Sequence, residues 1–219
     1  MAVTLHKADL PSSLDFGSAV AVDTETQGLS LVRDKLCLVQ LSAGDGDAHI
    51  VQVNRQIFDC PNLKALIVDK NVEKIFHYGR FDIAILSRDL GVEVSPVFCT
   101  KIASGLVRTY TDRHGLKDLC RELLGVDLSK QQQSSDWASD ELTQAQLDYA
   151  ASDVLYLHQL KNILSARLLR ESRFDIAQSC FDFLPTRAAL DLAGWNDVCL
   201  LYTSPSPRDA TLSRMPSSA

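Results

Sequence analysis

An α/β fold, with a sheet covered by helices, is predicted by two features of the 219-residue chain. Short runs rich in Val, Leu and Ile alternate with segments of helical periodicity, which is the order expected of strands and helices in such a fold. Two of these runs, 35–42 and 48–53, follow each other directly and are joined by the turn-rich sequence AGDGD, so an adjacent pair of strands is expected early in the sheet.

Each element of the fold has its own local signal. Strands are predicted at 18–23, 35–42, 48–53, 73–78 and 96–100, and helices at 61–69, 80–91, 100–108, 115–124 and in one long segment from about 143. Pro61 is tolerated near a helix start, and Gly91 is placed to end the second helix. Thr143 and Gln146 form the T-x-x-Q pattern of a capping box, which predicts where the long helix begins.

The overall charge, the hydrophobic pattern and the cysteines argue against a membrane protein, a secreted protein and a generally basic nucleic-acid-binding protein. The net charge of −6 argues against a basic surface that binds nucleic acid. This argument would mislead if several of the acids form one cluster that holds cations. No apolar run reaches the roughly 20 residues of a membrane span, and the N-terminal sequence lacks the pattern of a secretory signal. The six cysteines have no metal-binding spacing; we expect reduced, buried thiols, a cytoplasmic location and no membrane partner.

Acidic side chains at the end of a strand give the first indication of function. Asp23 and Glu25 lie two residues apart after an apolar run, so their side chains project from the same face. Such a pair is unfavourable near a core unless a cation holds it, and carboxylate oxygens suit Mg²⁺ or Mn²⁺. Asp82 lies among apolar residues at a predicted helix start, and Asp153 follows Tyr149 by one helical turn.

Three segments that carry these residues resemble the motifs of a known family. The segments are VDTETQGL, HYGRFDIAIL and LDYAASDVLYL. In this order, and with the Y-x-x-x-D form of the third, they are similar to the DEDDy branch of the DEDD 3′–5′ exonucleases, and most of all to ribonuclease D-like proteins. The resemblance covers about residues 17–165. It implies a ribonuclease H-like mixed β-sheet flanked by helices, in a single domain.

The resemblance also implies a reaction and its cofactors. Asp23, Glu25, Asp82 and Asp153 would bind two divalent ions, Mg²⁺ or Mn²⁺, and Tyr149 would orient the attacking water. The expected activity is metal-dependent hydrolysis of phosphodiester bonds from the 3′ end of RNA, with release of nucleoside 5′-monophosphates. The expected partner is therefore nucleic acid, with single-stranded DNA as a further possibility, and no obligate protein partner is implied.

Five further residues are expected to contact the substrate: Gly28, Leu29, His77, Lys130 and Gln131. Gly28 would let the backbone approach the terminal nucleotide, and Leu29 would lie against its base. A histidine at a strand end, such as His77, is more often a structural residue than a catalytic one, but the resemblance places it near the site. Lys130 and Gln131 fall in the polar connection 128–140, where Trp137 is expected to anchor the segment rather than stack on a base.

Other interpretations stay open at this point. A DNA exonuclease would use the same chemistry, because sugar discrimination depends on contacts to the 2′-OH that the sequence does not place. A non-catalytic nucleic-acid-binding protein on this fold is a second alternative, although the intact set of four acids and a tyrosine speaks against it. The basic residues between Arg108 and Arg121 are either a solvated face or a contact for a phosphate backbone.

The segment 199–219, CLLYTSPSPRDATLSRMPSSA, departs from the pattern of the preceding chain. It resembles the translation of a transposon-type sequencing-library adapter, on both sides of a short variable index at 210–212. Segments of such origin are excluded from fold reasoning. We therefore expect a native 3′–5′ exonuclease domain over 1–198 and a non-native, disordered tail over 199–219.

Overall fold

Six strands form one mixed sheet in the order β1-β4-β3-β2-β5-β6. The strands are β1 Val3–Lys7, β2 Ala19–Thr26, β3 Leu36–Ser42, β4 Ala48–Gln52, β5 Glu73–Phe76 and β6 Val97–Cys99. Strand β3 is antiparallel to both of its neighbours, whereas the pairs β1–β4, β2–β5 and β5–β6 are parallel. The computed structural model describes residues 2–129, 132 and 135–195, and within them the predicted α/β fold is confirmed.

Seven helices accompany the sheet in the described part of the chain. They are α1 Pro61–Val68, α2 Arg80–Leu90, α3 Thr100–Val107, α4 Leu116–Leu119, α5 Gln144–Leu155, α6 Leu157–Arg170 and α7 Phe174–Leu192, and α4 continues into a π-helical turn at Cys120–Leu124. Pro61 lies at the start of α1, Gly91 ends α2 in the left-handed conformation, and the capping box of Thr143 and Gln146 is present at the start of α5.

Strand β1 is not predicted by the sequence analysis. It lies at the edge of the sheet, pairs in parallel with β4, and is only partly buried along its length. The Ala8 N–H extends the pairing by donating to the Gln52 carbonyl at 2.9 Å, and the His6 and His49 rings stack with centroids 5.3 Å apart. Apolar and polar residues alternate in VTLHK, but the strand has only two apolar residues, Val3 and Leu5, so its sequence gives a weak signal.

The single long helix predicted from about residue 143 is wrong, because the structure divides this region into α5, α6 and α7. Tyr156 departs from helical geometry with φ −104° and ψ −5° and separates α5 from α6. Ser172, with φ +53°, lies in the turn between α6 and α7. Neither break contains Gly or Pro, so the usual punctuation of a helix end is missing from the sequence.

Strand β2 extends past the end of β5, and this difference in length creates the opening for a site. The parallel register between them ends at Ala21 and Ile75, whereas β2 stays paired with β3 as far as Thr26. The chain then turns at Gly79 into α2, which places the first turn of α2 beside the final residues of β2. Helix α5 packs against β2, β3 and β4 and covers the face that carries Asp23.

An ion-pair cluster fixes the start of α2 from the far end of the described chain. The Arg80 guanidinium donates through Nε and Nη2 to the Asp191 carboxylate, at 2.6 and 2.7 Å, and Arg187 donates to the same carboxylate at 2.6 Å. Asp191 is buried in the last turn of α7. The α2–α7 clamp, formed by these three residues, therefore joins the last turn of α7 to the helix that carries Asp82.

None of the described helices combines the length and the apolar character needed to cross a bilayer. The five described cysteines are free thiols, four of them buried, as the sequence predicts; Cys199 lies outside the described residues.

Candidate active site

Three carboxylates converge where β2 passes under α5. Asp23 and Glu25 project from one face of β2, and Asp153 comes down from α5, so that one oxygen of each lies within 4.8 Å of the others. All three side chains are partly exposed, so the group is open to a ligand. This convergence follows from two periodicities, since alternate strand residues share a face and Asp153 shares a helix face with Tyr149.

Asp82 reaches the same end of β2 from the opposite side of the sheet. It lies in the first turn of α2 and is 7% exposed, and its Oδ1 accepts a hydrogen bond of 2.6 Å from the Thr24 hydroxyl. Its oxygens do not belong to the compact group formed by the other three acids. Its charge is nevertheless close enough to raise the pKa of Asp23, Glu25 and Asp153.

Burial and mutual repulsion raise the pKa of all four acids. Burial is the largest cause in each case, and it is joined by the charge of the neighbouring carboxylates for Asp23, Glu25 and Asp153. The pKa of Glu25 rises to about 8, that of Asp153 to about 7 and that of Asp82 to about 6, while that of Asp23 lies well above its ordinary value. The ionised cluster is therefore unstable without added positive charge.

The donor set fits divalent cations with a preference for oxygen. Among the described residues, no Lys or Arg forms an ion pair with these four acids, so the protein itself does not neutralise them. Four carboxylates, three of them with oxygens already close together, are the hard ligands preferred by Mg²⁺ and Mn²⁺.

A cavity of about 550 Å³ opens beside the acids. The lining comes from the end of β2 and the following loop, the connection between β5 and α2, and parts of α4, α5 and the segment before α5. It consists of Asp23, Thr24, Glu25, Thr26, Gln27, Gly28, Leu29, His77, Leu116, Ser135, Trp137, Tyr149 and Asp153. Tyr149 stacks on Trp137, with centroids 6.0 Å apart and planes 30° apart. Because Trp137 is 4% exposed and packs in a cluster with Leu38 and Ile50, it anchors the segment, as the sequence analysis expects.

His77 lines the cavity and is held by hydrogen bonds behind it. The Thr100 hydroxyl donates to the Phe76 carbonyl at 3.2 Å and lies 2.9 Å from His77 Nδ1, so we assign the His77 proton to Nδ1. Burial, with the nearby charge of Lys101, lowers the pKa of His77 to about 3. The imidazole is therefore neutral at physiological pH, and its Nε2 is an acceptor.

Gly28 and Leu29 lie in the loop that forms one rim of the cavity. A Cβ on Gly28 would lie 2.4 Å from Oδ2 of Asp34. This carboxylate also accepts a hydrogen bond from the Ser30 N–H at 3.0 Å. The Asp34 carboxylate therefore leaves little room for a larger residue at this position, and the approach of the Gly28 backbone to a nucleotide stays a prediction. Leu29 is 87% exposed and extends an apolar side chain at the mouth of the cavity.

Two of the predicted contacts and the predicted tail cannot be placed. Lys130, Gln131 and the segment 199–219, with the expected domain end at 198, lie outside the described residues. The basic stretch is not a uniform phosphate-binding face, since Arg108 is fully buried and pairs with Glu122, and Arg121 pairs with Asp118.

Two residues of the site are missed by the sequence analysis. The Thr24 hydroxyl orients the Asp82 carboxylate by donating a hydrogen bond to it. Gln40 lies on β3 directly across from Asp23 and is fully buried. A signal for it was present in the sequence, because glutamine interrupts the apolar run LCLVQL.

Known proteins of one family are similar to this chain. A family described as 3'-5' exonuclease matches residues 6–169. Ribonuclease D of Acidiphilium cryptum (strain JF-5) is 36% identical over 156 residues, which cover 71% of this chain and 39% of that protein. The chain thus spans about two fifths of the length of this curated relative.

Solved structures extend the comparison over nearly all of the described chain. Brucella melitensis NrnC with bound Mg²⁺ is 54% identical, with a TM-score of 0.86 over 90% of this chain and 98% of that chain. The same protein bound to pGG is 55% identical, with a TM-score of 0.87 and the same coverage. Escherichia coli RNase D, at 24% identity and a TM-score of 0.70 over 78% of this chain and 45% of that chain, shares the fold. The chain therefore belongs to the DEDD-type 3′–5′ exonuclease family.

Proposed function

We propose that this protein is a metal-dependent 3′–5′ exoribonuclease that removes nucleoside 5′-monophosphates from RNA 3′ ends. The observation that carries the proposal is the approach of Asp23, Glu25 and Asp153 within 4.8 Å of one another, at the wall of a cavity of about 550 Å³. Cavities of roughly 300–1,000 Å³ are typical of small-ligand sites.

The four acids would hold two divalent ions, Mg²⁺ or Mn²⁺. When bound, such ions lower the pKa of an attacking water and stabilise the charge on a departing 3′ oxygen. Asp23, Glu25 and Asp153 offer the nearest oxygens. Asp82, held by the Thr24 hydroxyl, would complete the set from the other side of the strand end.

Tyr149 would orient the attacking water through its phenol. Burial, with the charges of Asp153, Glu25 and Asp23, raises the pKa of Tyr149, so the phenol keeps its proton in the cation-free cluster. It therefore acts by hydrogen bonding to the water, a contribution typical of positioned acid–base groups. Its ring is held by the stacking contact with Trp137.

The substrate would enter with its 3′ end against the acids. His77 presents a neutral acceptor nitrogen to the cavity, and Leu29 supplies an exposed apolar surface at its mouth, which suits a nucleobase. Because NrnC has been solved bound to pGG, we propose that short oligoribonucleotides of this kind are among the substrates. The proposal places the protein in the cytoplasm, with which the free, mostly buried cysteines are compatible.

Digestion of end-labelled oligonucleotides tests the direction, the product and the metal requirement. With Mg²⁺ or Mn²⁺, a 3′-labelled RNA should release a labelled mononucleotide first, whereas a 5′-labelled RNA should shorten one nucleotide at a time. EDTA should stop both reactions. DNA of matched sequence separates an exoribonuclease from a DNA exonuclease, and pGG tests the proposed length of substrate.

The matched control variant is Asp148→Asn, which changes an exposed carboxylate next to Tyr149 on α5. It should digest RNA like the wild type, whereas Asp23→Asn should be inactive. Hydrolysis that survives EDTA, or that survives Asp23→Asn, would show that the acids are not the site. Binding of RNA without hydrolysis would instead favour the non-catalytic alternative.

A further inference from the structure

Gln40 is a buried polar side chain that none of the functions described above employs. Every residue of β3 is buried, and Gln40 is 0% exposed. Within the described part of the chain, neither its Nε2 nor its Oε1 has a hydrogen-bond partner. A buried amide without a partner is destabilising and rare in folded proteins, so its presence at this position requires an explanation.

The register of the sheet shows which side chains lie directly across from Gln40 on the neighbouring strands. Gln40 pairs with Asp23 on β2 and with Ile50 on β4. Of these two partners, Asp23 is polar and Ile50 is apolar. Residues paired directly across antiparallel strands project from the same face, with Cβ atoms about 4.5–5.5 Å apart. The Gln40 amide therefore lies on the face that carries the acids, within reach of Asp23.

The other polar residue on this face of β3 already has a partner. The Ser42 hydroxyl donates to the Asp47 carbonyl at 2.7 Å. Leu38, on the other side of Gln40, is apolar and packs with Trp137 and Ile50. Among the strand residues on this face, Asp23 is thus the acceptor that lies directly across from the Gln40 amide.

We propose that Gln40 is a positioning residue, whose Nε2 donates to the Asp23 carboxylate when divalent cations occupy the acidic site. The hydrogen bond would fix the orientation of Asp23 and leave its other lone pairs for a cation. This inference rests on the proposed metal-dependent function and deepens it. Partners that orient metal ligands in this way typically contribute 10–100-fold to metal affinity.

The test uses Gln40→Met, which removes both polar atoms and keeps the length of an unbranched side chain. The full chain is freed of metal with EDTA, and its thermal midpoint is then recorded against Mg²⁺ concentration. We expect the metal-free midpoint of Gln40→Met to equal or exceed that of the wild type, because an unpaired buried amide is gone. The Mg²⁺ concentration giving half of the stabilisation should rise by about 10–100-fold.

Leu41→Met is the matched control, since Leu41 is a buried neighbour on the opposite face of the same strand. It should lower the midpoint slightly and leave the Mg²⁺ concentration dependence unchanged. An unchanged dependence in Gln40→Met would overturn the inference, and so would a large fall of its metal-free midpoint, which would show that the amide is already bonded elsewhere. A wild type that does not respond to Mg²⁺ or Mn²⁺ would overturn the proposed function, and this inference with it.

Discussion

Replacing Asp153 by asparagine removes one of the charges that crowd the end of β2. Asparagine is close to aspartate in size but uncharged, so the repulsion between residue 153 and Asp82, Asp23 and Glu25 disappears. Without metal, the variant should therefore be more stable than the wild type. With metal, it should lose activity because a ligand is missing.

The magnitude follows from the pKa of Asp153, which burial and the charge of Asp82 raise from 3.8 to about 7. A carboxylate with a raised pKa destabilises the fold above its unfolded-state pKa, and the penalty grows until the pH passes the folded-state pKa. At about 1.4 kcal/mol per pKa unit, the penalty is near zero at pH 3, roughly 2 kcal/mol at pH 5 and roughly 4 kcal/mol at pH 8. The stabilising effect of Asp153→Asn should therefore be about 2 kcal/mol larger at pH 8 than at pH 5.

Thermal unfolding of EDTA-treated protein at the two pH values measures this difference. For a chain of this size, about 2 kcal/mol corresponds to a shift of roughly 4–8 °C in the midpoint. Asp148→Asn, an exposed substitution on the same helix, is the control and should shift the midpoint little at either pH. In the presence of Mg²⁺, the rate of hydrolysis by Asp153→Asn should fall by more than about 100-fold. Removal of a residue that only hydrogen-bonds to a metal ligand typically costs roughly 10–100-fold, and Asp153 is itself a proposed ligand.

Three results would contradict these expectations for Asp153→Asn. If Asp153→Asn destabilised the metal-free protein at pH 8, the carboxylate would be making a favourable contact rather than a repulsive one. If the stability difference were the same at pH 5 and pH 8, the pKa of Asp153 would not be raised. Unchanged hydrolysis would show that Asp153 is not a metal ligand.

Three other substitutions test separate parts of the site. Tyr149→Phe should lower kcat by about 10–100-fold and leave the Mg²⁺-induced shift in the thermal midpoint unchanged; an unaltered kcat would remove Tyr149 from the reaction. Asp191→Asn should lower the free energy of unfolding by about 2 kcal/mol, because buried bonds to charged partners are lost; equal stability to Asp182→Asn, an exposed control on α7, would contradict this. Gly28→Ala should raise KM more than kcat falls, because its Cβ would collide with Asp34 and disturb the loop at the rim of the cavity; an unchanged KM in Gly28→Ala would contradict this prediction.

The acids of the site were predictable from the sequence because each lies in a locally regular element. The two-residue spacing of Asp23 and Glu25 on a strand and the four-residue spacing of Tyr149 and Asp153 on a helix decide which side chains share a face. The structure places Asp23, Glu25, Tyr149 and Asp153 around one cavity. Their roles as ligands and as a water-orienting group stay predictions.

Tertiary contacts account for what the sequence did not disclose. The bond from Thr24 to Asp82 joins two elements 58 residues apart, and the contact of Gly28 with Asp34 depends on how a loop folds back. Arg108 looks like a surface charge in the sequence, yet it is fully buried because Glu122, Ser104 and a carbonyl satisfy its guanidinium. The residues next to Arg108, Thr24 or Gly28 in the sequence do not indicate which distant groups these residues contact.

The α2–α7 clamp shows that the folded structure depends on residues beyond the segment that matches the exonuclease family. The match to the 3'-5' exonuclease family ends at residue 169, but Asp191 binds Arg80, two positions before Asp82, and Phe181 of α7 packs on Phe98 of β6 with centroids 4.6 Å apart. A chain cut at 169 would leave the guanidinium of Arg80 and the ring of Phe98 without these partners.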